Sequence, residues 1–145
     1  MKRIRVAGII EMDGGYALMH RKNVKQTPNT EKPYGEYYVF PGGGLEENET
    51  YEEGVEREIL EEFGIKVKVK EQIYSRRVNE ENYEYLYKCE YVSGEFGTGT
   101  GPEFSGDPKY KDRGEYIPEI VSKEKIRNIR LFPEEFAKQL IANLK

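Results

Sequence analysis

The 145-residue chain contains one cysteine, one histidine and no tryptophan. With Cys89 alone, no intrachain disulfide can form, and metal sites that need two cysteines are excluded. A reducing cytoplasm is therefore the expected compartment. A long apolar run is missing too. The stretch from Met1 to Ile10 carries basic residues, but its apolar part is short and ends at Glu11 and Asp13, unlike a signal-peptide core. No segment has the length of a membrane span, and no membrane partner is expected. Nor is there an excess of positive charge: 23 Lys and Arg face 27 Asp and Glu, a formal net charge of -4. No stretch gathers cations as a sequence-independent nucleic-acid binder needs, so duplex binding is not expected. An acidic protein can still hold an anionic phosphate compound if a metal ion or a few placed cations reverse the local field.

What the chain does have is aromatic side chains, 12 Tyr and 6 Phe, within a hydrophobic share of 37%. That is too many for a disordered chain, and the length suits one compact domain spanning residues 1–145. Ile4 to Met12 and Tyr16 to Arg21 read as strands joined at Asp13-Gly14-Gly15. Lys22 to Glu36 reads as a loop, Tyr37 to Phe40 as a short strand, and Pro41-Gly42-Gly43-Gly44 as a break in regular structure. From Thr50 a helix is predicted, with Val55, Ile59 and Phe63 on one stripe and Gly64 as its terminator. Ile65 to Val78 and Tyr83 to Val92 alternate as a second strand pair around residues 79–82, and Tyr116 to Val121 forms a further strand. Pro133 suits the first turn of a closing helix that carries Phe136, Leu140, Ile141 and Leu144. The glycine-rich stretch from Ser93 to Glu115 is long for an idle connection and reads equally as a substrate loop or a surface excursion.

The chemistry gathers on the central helix. Between Glu49 and Glu62 stand seven glutamates, Glu49, Glu52, Glu53, Glu56, Glu58, Glu61 and Glu62, against one cation, Arg57. Glu58, Glu61 and Glu62, at i, i+3 and i+4, share a face, where each like-charge neighbour costs a few tenths of a kcal/mol. Glu61 and Glu62 also fall in the last turn, where the helix dipole disfavours an anion by roughly 0.3 to 1 kcal/mol. A bound divalent cation removes both penalties. With only carboxylate oxygens at hand, hard Mg²⁺ is favoured, with Mn²⁺ as the alternative, over Zn²⁺. A solvated acidic helix face is the competing reading, and the spacing decides against it.

That spacing runs Gly43, five residues, Glu49, seven residues, then Arg57-Glu58-Ile59-Leu60-Glu61-Glu62-Phe63-Gly64-Ile65. It resembles the box of the Nudix hydrolase family, which includes the MutT-like pyrophosphohydrolases, at every fixed position over residues 43–65. The resemblance implies an α/β (α+β) fold, a mixed β-sheet sandwiched between helices with a loop-helix-loop catalytic motif. It implies Glu58, Glu61 and Glu62 as metal ligands, one of them acting as base or positioning water, with Arg57 and Glu49 orienting them. Gly43 and Gly64 supply backbone geometry. The implied reaction is metal-dependent attack of water on a pyrophosphate linkage in a small-molecule nucleotide: a nucleoside triphosphate, a nucleotide-sugar or a dinucleoside polyphosphate. An RNA 5′-end pyrophosphohydrolase and a non-catalytic nucleotide-binding regulator on the same fold are the alternatives. A homodimer is left open.

Arg21, Gly43, Tyr83 and Phe104 are the candidate substrate contacts, with Lys22, Arg76 and Arg77 as further cations for phosphate. Tyr83, Tyr85, Tyr87 and Tyr91 alternate along one strand face, suited to base stacking or to packing. Within the family, Glu81 stands where ADP-ribose hydrolases often carry proline, and Tyr83 falls where dinucleoside polyphosphate hydrolases often carry tyrosine. Glu103, ahead of Glu115, is the candidate metal ligand outside the box. His20 reads as structural, and Cys89 as an ordinary strand residue. The glycines after Pro41 lack the Gly-Lys-Ser/Thr ending of a P-loop, which excludes a kinase-like nucleotide site.

Overall fold

A computed structural model of the chain describes residues 2–24, 35–101 and 114–144. Strands β1 (Arg3–Met12) and β2 (Gly15–Val24) form the expected hairpin. Asp13 and Gly14 both turn at positive φ, 50° and 78°, which matches the twist of the flanking strands. Next come β3 (Gly35–Val39), β4 (Gly42–Gly44), helix α1 (Tyr51–Phe63) and the paired strands β5 (Ile65–Arg77) and β6 (Asn82–Gly94). The chain then adds β7 (Glu115–Ser122), a 3-10 turn at Lys125–Asn128, β8 (Leu131–Phe132) and α2 (Glu134–Ala142).

The strands join in the order β5-β6-β1-β2-β3-β8, with β4 added on β1 and β7 on β2. Strand β1 runs parallel to β6 along Arg3 to Ile10 and antiparallel to β2 only at its far end. It therefore passes from one part of the curled sheet to the other. Each face buries its own cluster. Val55, Ile59 and Phe63 of α1 pack with Val6, Ile10, Met19 and Val67 on one side. Phe136, Ala137 and Leu140 of α2 pack with Ile9, Leu18, Phe40 and Leu86 on the other. This is the mixed sheet between helices that the sequence implies. Among the described residues no helix is long and apolar enough to cross a membrane.

Two expectations are corrected, and two short elements were not foreseen. The glycine run after Pro41 does not break regular structure, because Gly42–Gly44 forms β4 against Ala7, Val6 and Arg5. Only glycine allows that approach: a Cβ on Gly42 would lie 2.2 Å from the Val6 carbonyl oxygen. Pro133 precedes α2 as its N-cap, one position before the first turn expected for it. The turn at Lys125–Asn128 and the two-residue β8 are too short to leave a periodic signal.

Candidate active site

Helix α1 begins with local signals. The Thr50 hydroxyl accepts from the Glu53 amide at 3.1 Å, and the Glu53 carboxylate accepts from the Thr50 amide at 2.9 Å. This reciprocal cap satisfies two exposed donors, and Glu52 and Glu53 suit the positive end of the dipole. The helix stops where Gly64 adopts φ 74° and donates to the Leu60 carbonyl. Gly8 lets the helix sit close on β1, since a Cβ there would be 2.7 Å from Ile59 Cδ1.

Arg57 organises the acidic face. Its Nε and Nη2 donate to the two oxygens of Glu49 at 2.7 and 3.0 Å. Its Nη1 donates to Glu58 at 2.9 Å and Glu61 at 3.3 Å, and Nη2 also reaches the Gly44 carbonyl at 3.1 Å. Glu46 adds a further carboxylate 2.8 Å from Nε. The forked hydrogen bonds to Glu49 hold the guanidinium protonated far above neutral pH. The same bonds, opposed in part by burial, hold Glu49 below the usual carboxylate range. Glu58 shifts the other way. Burial pushes its carboxyl up, and the nearby Glu61 charge adds to this against the pull of Arg57 and Arg5.

The loop before the helix is shaped to these carboxylates. The Gly42 amide donates to Glu62 Oε2 at 2.9 Å. A Cβ on Gly43 would lie 2.5 Å from Glu58 Oε1, so the bare glycine lets that carboxylate lie against the loop. Glu58, Glu61, Glu62, Arg57, Glu49 and Gly43 are thus brought together as the spacing predicts. Among the described residues, no three acidic, His or Cys side chains close around one point, because Glu58 and Glu61 turn to Arg57 while Glu62 turns to Gly42. The donor set still fits a hard divalent cation. It is all carboxylate, one member, Glu58, is partly buried with its pKa pushed up, and two stand at the negative end of a helix.

Beside the β4 loop lies a cavity of about 920 Å³, lined by Gly44, by Arg3 and Arg5 of β1, by Tyr83 and Tyr85 of β6, and by the start of α2. Arg76 lines it too, 3.4 Å from Glu84 and 3.6 Å from Glu135. The Tyr83 ring is flanked by Lys2 and Arg77. Arg5 lines the cavity and also reaches the carbonyl of Gly42 at 3.4 Å, the residue whose amide holds Glu62. The sequence reading missed it. The available signal was its phase: Arg3 and Arg5 alternate in register with Ala7 and Ile9, which are buried.

Other candidates fall elsewhere. Arg21, expected as an exposed phosphate contact, is buried; its guanidinium lies 3.6 Å from the Tyr116 ring centre and its Nε donates to the Glu115 carbonyl. Cation-π contact and burial between β2 and β7 outweigh solvation of that charge. Tyr87 is buried in the core and Tyr85 packs on Tyr51, while Tyr91 is exposed. Glu115 accepts a hydrogen bond from Asn23. His20 is buried and stacked on Tyr38, with Glu36 at 2.5 Å and Glu119 at 3.1 Å from its two ring nitrogens. Glu103 and Phe104 lie outside the described residues.

The chain matches the NUDIX domain family over residues 1–137. It belongs to that family. An ADP-ribose pyrophosphatase of Methanocaldococcus jannaschii is 43% identical over 67 residues, a match covering 46% of this chain and 35% of that relative's length. Among solved structures, a NUDIX hydrolase from Nitrosomonas europaea has a TM-score of 0.68 at 19% identity, over 97% of this chain and 68% of that one. MutT from Aliivibrio salmonicida and Vibrio cholerae has a TM-score of 0.62 at 23% identity, over 99% of this chain and 100% of that one. At these identities the structures share the fold. The sequence of the NUDIX box and the curled mixed sheet therefore agree.

Proposed function

We propose that this NUDIX chain hydrolyses a pyrophosphate linkage in a nucleoside diphosphate joined to a second group, with Mg²⁺ or Mn²⁺ held by Glu58, Glu61 and Glu62. The observation that carries this is Arg57, which gathers Glu49, Glu58 and Glu61 with a single guanidinium, next to a cavity that Gly44 and Arg5 connect to them. When bound, the divalent ion neutralises phosphate charge and lowers the pKa of attacking water. The chain's own groups do the rest. Arg57 and the Gly42 amide hold the carboxylates in place, Arg5 meets phosphate charge at the mouth of the cavity, and Tyr83 and Tyr85 offer ring faces to a base. One of the three box glutamates, Glu58, Glu61 or Glu62, takes the proton from water or positions it.

The methanogen relative is named an ADP-ribose pyrophosphatase, while Glu81 in place of proline points away from ADP-ribose and Tyr83 points toward a dinucleoside polyphosphate. Product analysis over nucleoside triphosphates, nucleotide-sugars, ADP-ribose and dinucleoside polyphosphates, each with and without Mg²⁺, tests both levels. Turnover that persists fully in EDTA, or no cleavage of any of them, rejects the proposal.

A further inference from the structure

The last turn of α1 leaves four carbonyls without helical partners, those of Leu60, Glu61, Glu62 and Phe63. Gly64 N–H takes the first. The others meet a short segment after β6. Gly101 N–H donates to Glu61 O at 2.8 Å, and the amides of Gly97 and Thr98 both donate to Phe63 O, at 2.9 and 3.2 Å. Between them Gly99 is pressed against the remaining carbonyl: a Cβ there would be 2.3 Å from Glu62 O and 2.5 Å from Glu61 O. Phe96 anchors the segment on Phe63, ring centres 4.9 Å apart. The glycines of this segment let it fit closely against the helix end.

We propose that residues 95–101 form a strap that positions the Glu61 and Glu62 carboxylates through their own carbonyls, with Gly99 as the positioning residue. The inference rests on the reading that these glutamates hold a divalent ion. Backbone atoms oppose any side chain at Gly99, so neither the strap nor the last helical turn can yield without moving the other. Three N–H groups aimed at the negative helix end also offset part of the penalty of placing two anions there. The last turn itself carries no basic residue to do so, and Arg57, one turn back, reaches Glu61 alone of the two.

The test is Mn²⁺ binding by calorimetry to the wild-type protein, Gly99→Ala and Leu140→Ala, the last a core deletion on the α2 face. Gly99→Ala is expected to weaken Mn²⁺ by about 10-fold or more, as loss of outer supports to metal ligands does, with KM at saturating metal within about twofold of wild type because only the metal ligands move. Leu140→Ala should lower the melting temperature and leave Mn²⁺ affinity unchanged. Amide exchange of the wild-type protein gives a measurement free of folding defects: Mn²⁺ should slow exchange at Gly97, Thr98 and Gly101, by linkage. Equal Mn²⁺ affinity in wild type and Gly99→Ala, equal weakening by Leu140→Ala, or unchanged exchange along the strap each overturns the strap. A wild-type protein that binds no Mn²⁺ overturns the metal reading itself.

Discussion

At the first turn of α1 the chain finds its partners three residues away, where Thr50 and Glu53 cap each other. At the last turn the partners come from a segment beyond two intervening strands, and the side chains there repel one another. The first end is arranged as stability alone would choose. The second places anions where the dipole opposes them, gathers them with one arginine and seals the backbone with a strap of glycines. A helix end that departs from local preference and is held from outside marks the place where structure serves binding. The two ends therefore make different predictions under substitution.

The largest effect is expected at the far end. Glu62→Gln and Glu58→Gln should both reduce turnover to background while the fold persists. In EDTA, Glu58→Gln should melt higher than wild type, because it removes a partly buried charge that desolvation disfavours. Glu62→Gln should gain less, since it weakens the bond from the Gly42 amide while relieving the dipole. A lower melting temperature for Glu58→Gln in EDTA contradicts this account of the cluster. Next comes Arg57→Lys. An ammonium keeps the charge but cannot fork to Glu49 and reach Glu58 together, so activity should fall about 10- to 100-fold. A variant with wild-type kcat would show that the Arg57 geometry is incidental.

Acid should separate the carboxylates by sign. Glu49 is held below its ordinary value of 4.5 mainly by Arg57. Its bond thus adds stability that is present above pH 4.5 and is lost as pH falls through the lowered folded value. Glu58 is raised by burial, so its ionisation opposes folding at neutral pH, and protonation on moving down through its raised value restores stability. In metal-free urea titrations, Glu49→Gln should flatten the loss below pH 4.5, and Glu58→Gln should remove the gain above it. Identical pH profiles for both variants would mean that Arg57 does not distinguish the two.

Much of this contrast is visible in the sequence, and the part that is not has a physical reason. Val55, Ile59 and Phe63 mark the helix face, Gly64 its end, and the box spacing its acidic cluster, because all of these are local patterns. Strand β4 is hidden because three glycines carry no side-chain alternation, and what defines Gly42 and Gly43 is the space that Val6 and Glu58 leave. The strap is hidden for the same reason, since close approach and flexibility both read as glycine. Arg5 gains its place only when β4 and β6 close on β1, and Arg21 looked exposed because its burial depends on Tyr116 from a distant strand.

The smallest effect belongs to the near end. Thr50→Ala removes the hydroxyl that accepts from Glu53 N–H and frees the Glu53 side chain from its reciprocal role, which costs about 1 kcal/mol in comparable N-caps. For a chain of this size that is a drop of a few degrees in melting temperature. The defect frays the first turn, yet Arg57, Glu58, Glu61 and Glu62 stand beyond it and remain packed through Val55 and Ile59. Turnover at saturating Mg²⁺ and the Mg²⁺ midpoint should therefore match wild type at temperatures well below the melt. Measured together, a lower melting temperature with unchanged metal dependence supports the division between the two ends. A Mg²⁺ midpoint that moves with Thr50→Ala as it does with Gly99→Ala would mean that α1 transmits strain as one rigid rod and that its ends are not independent.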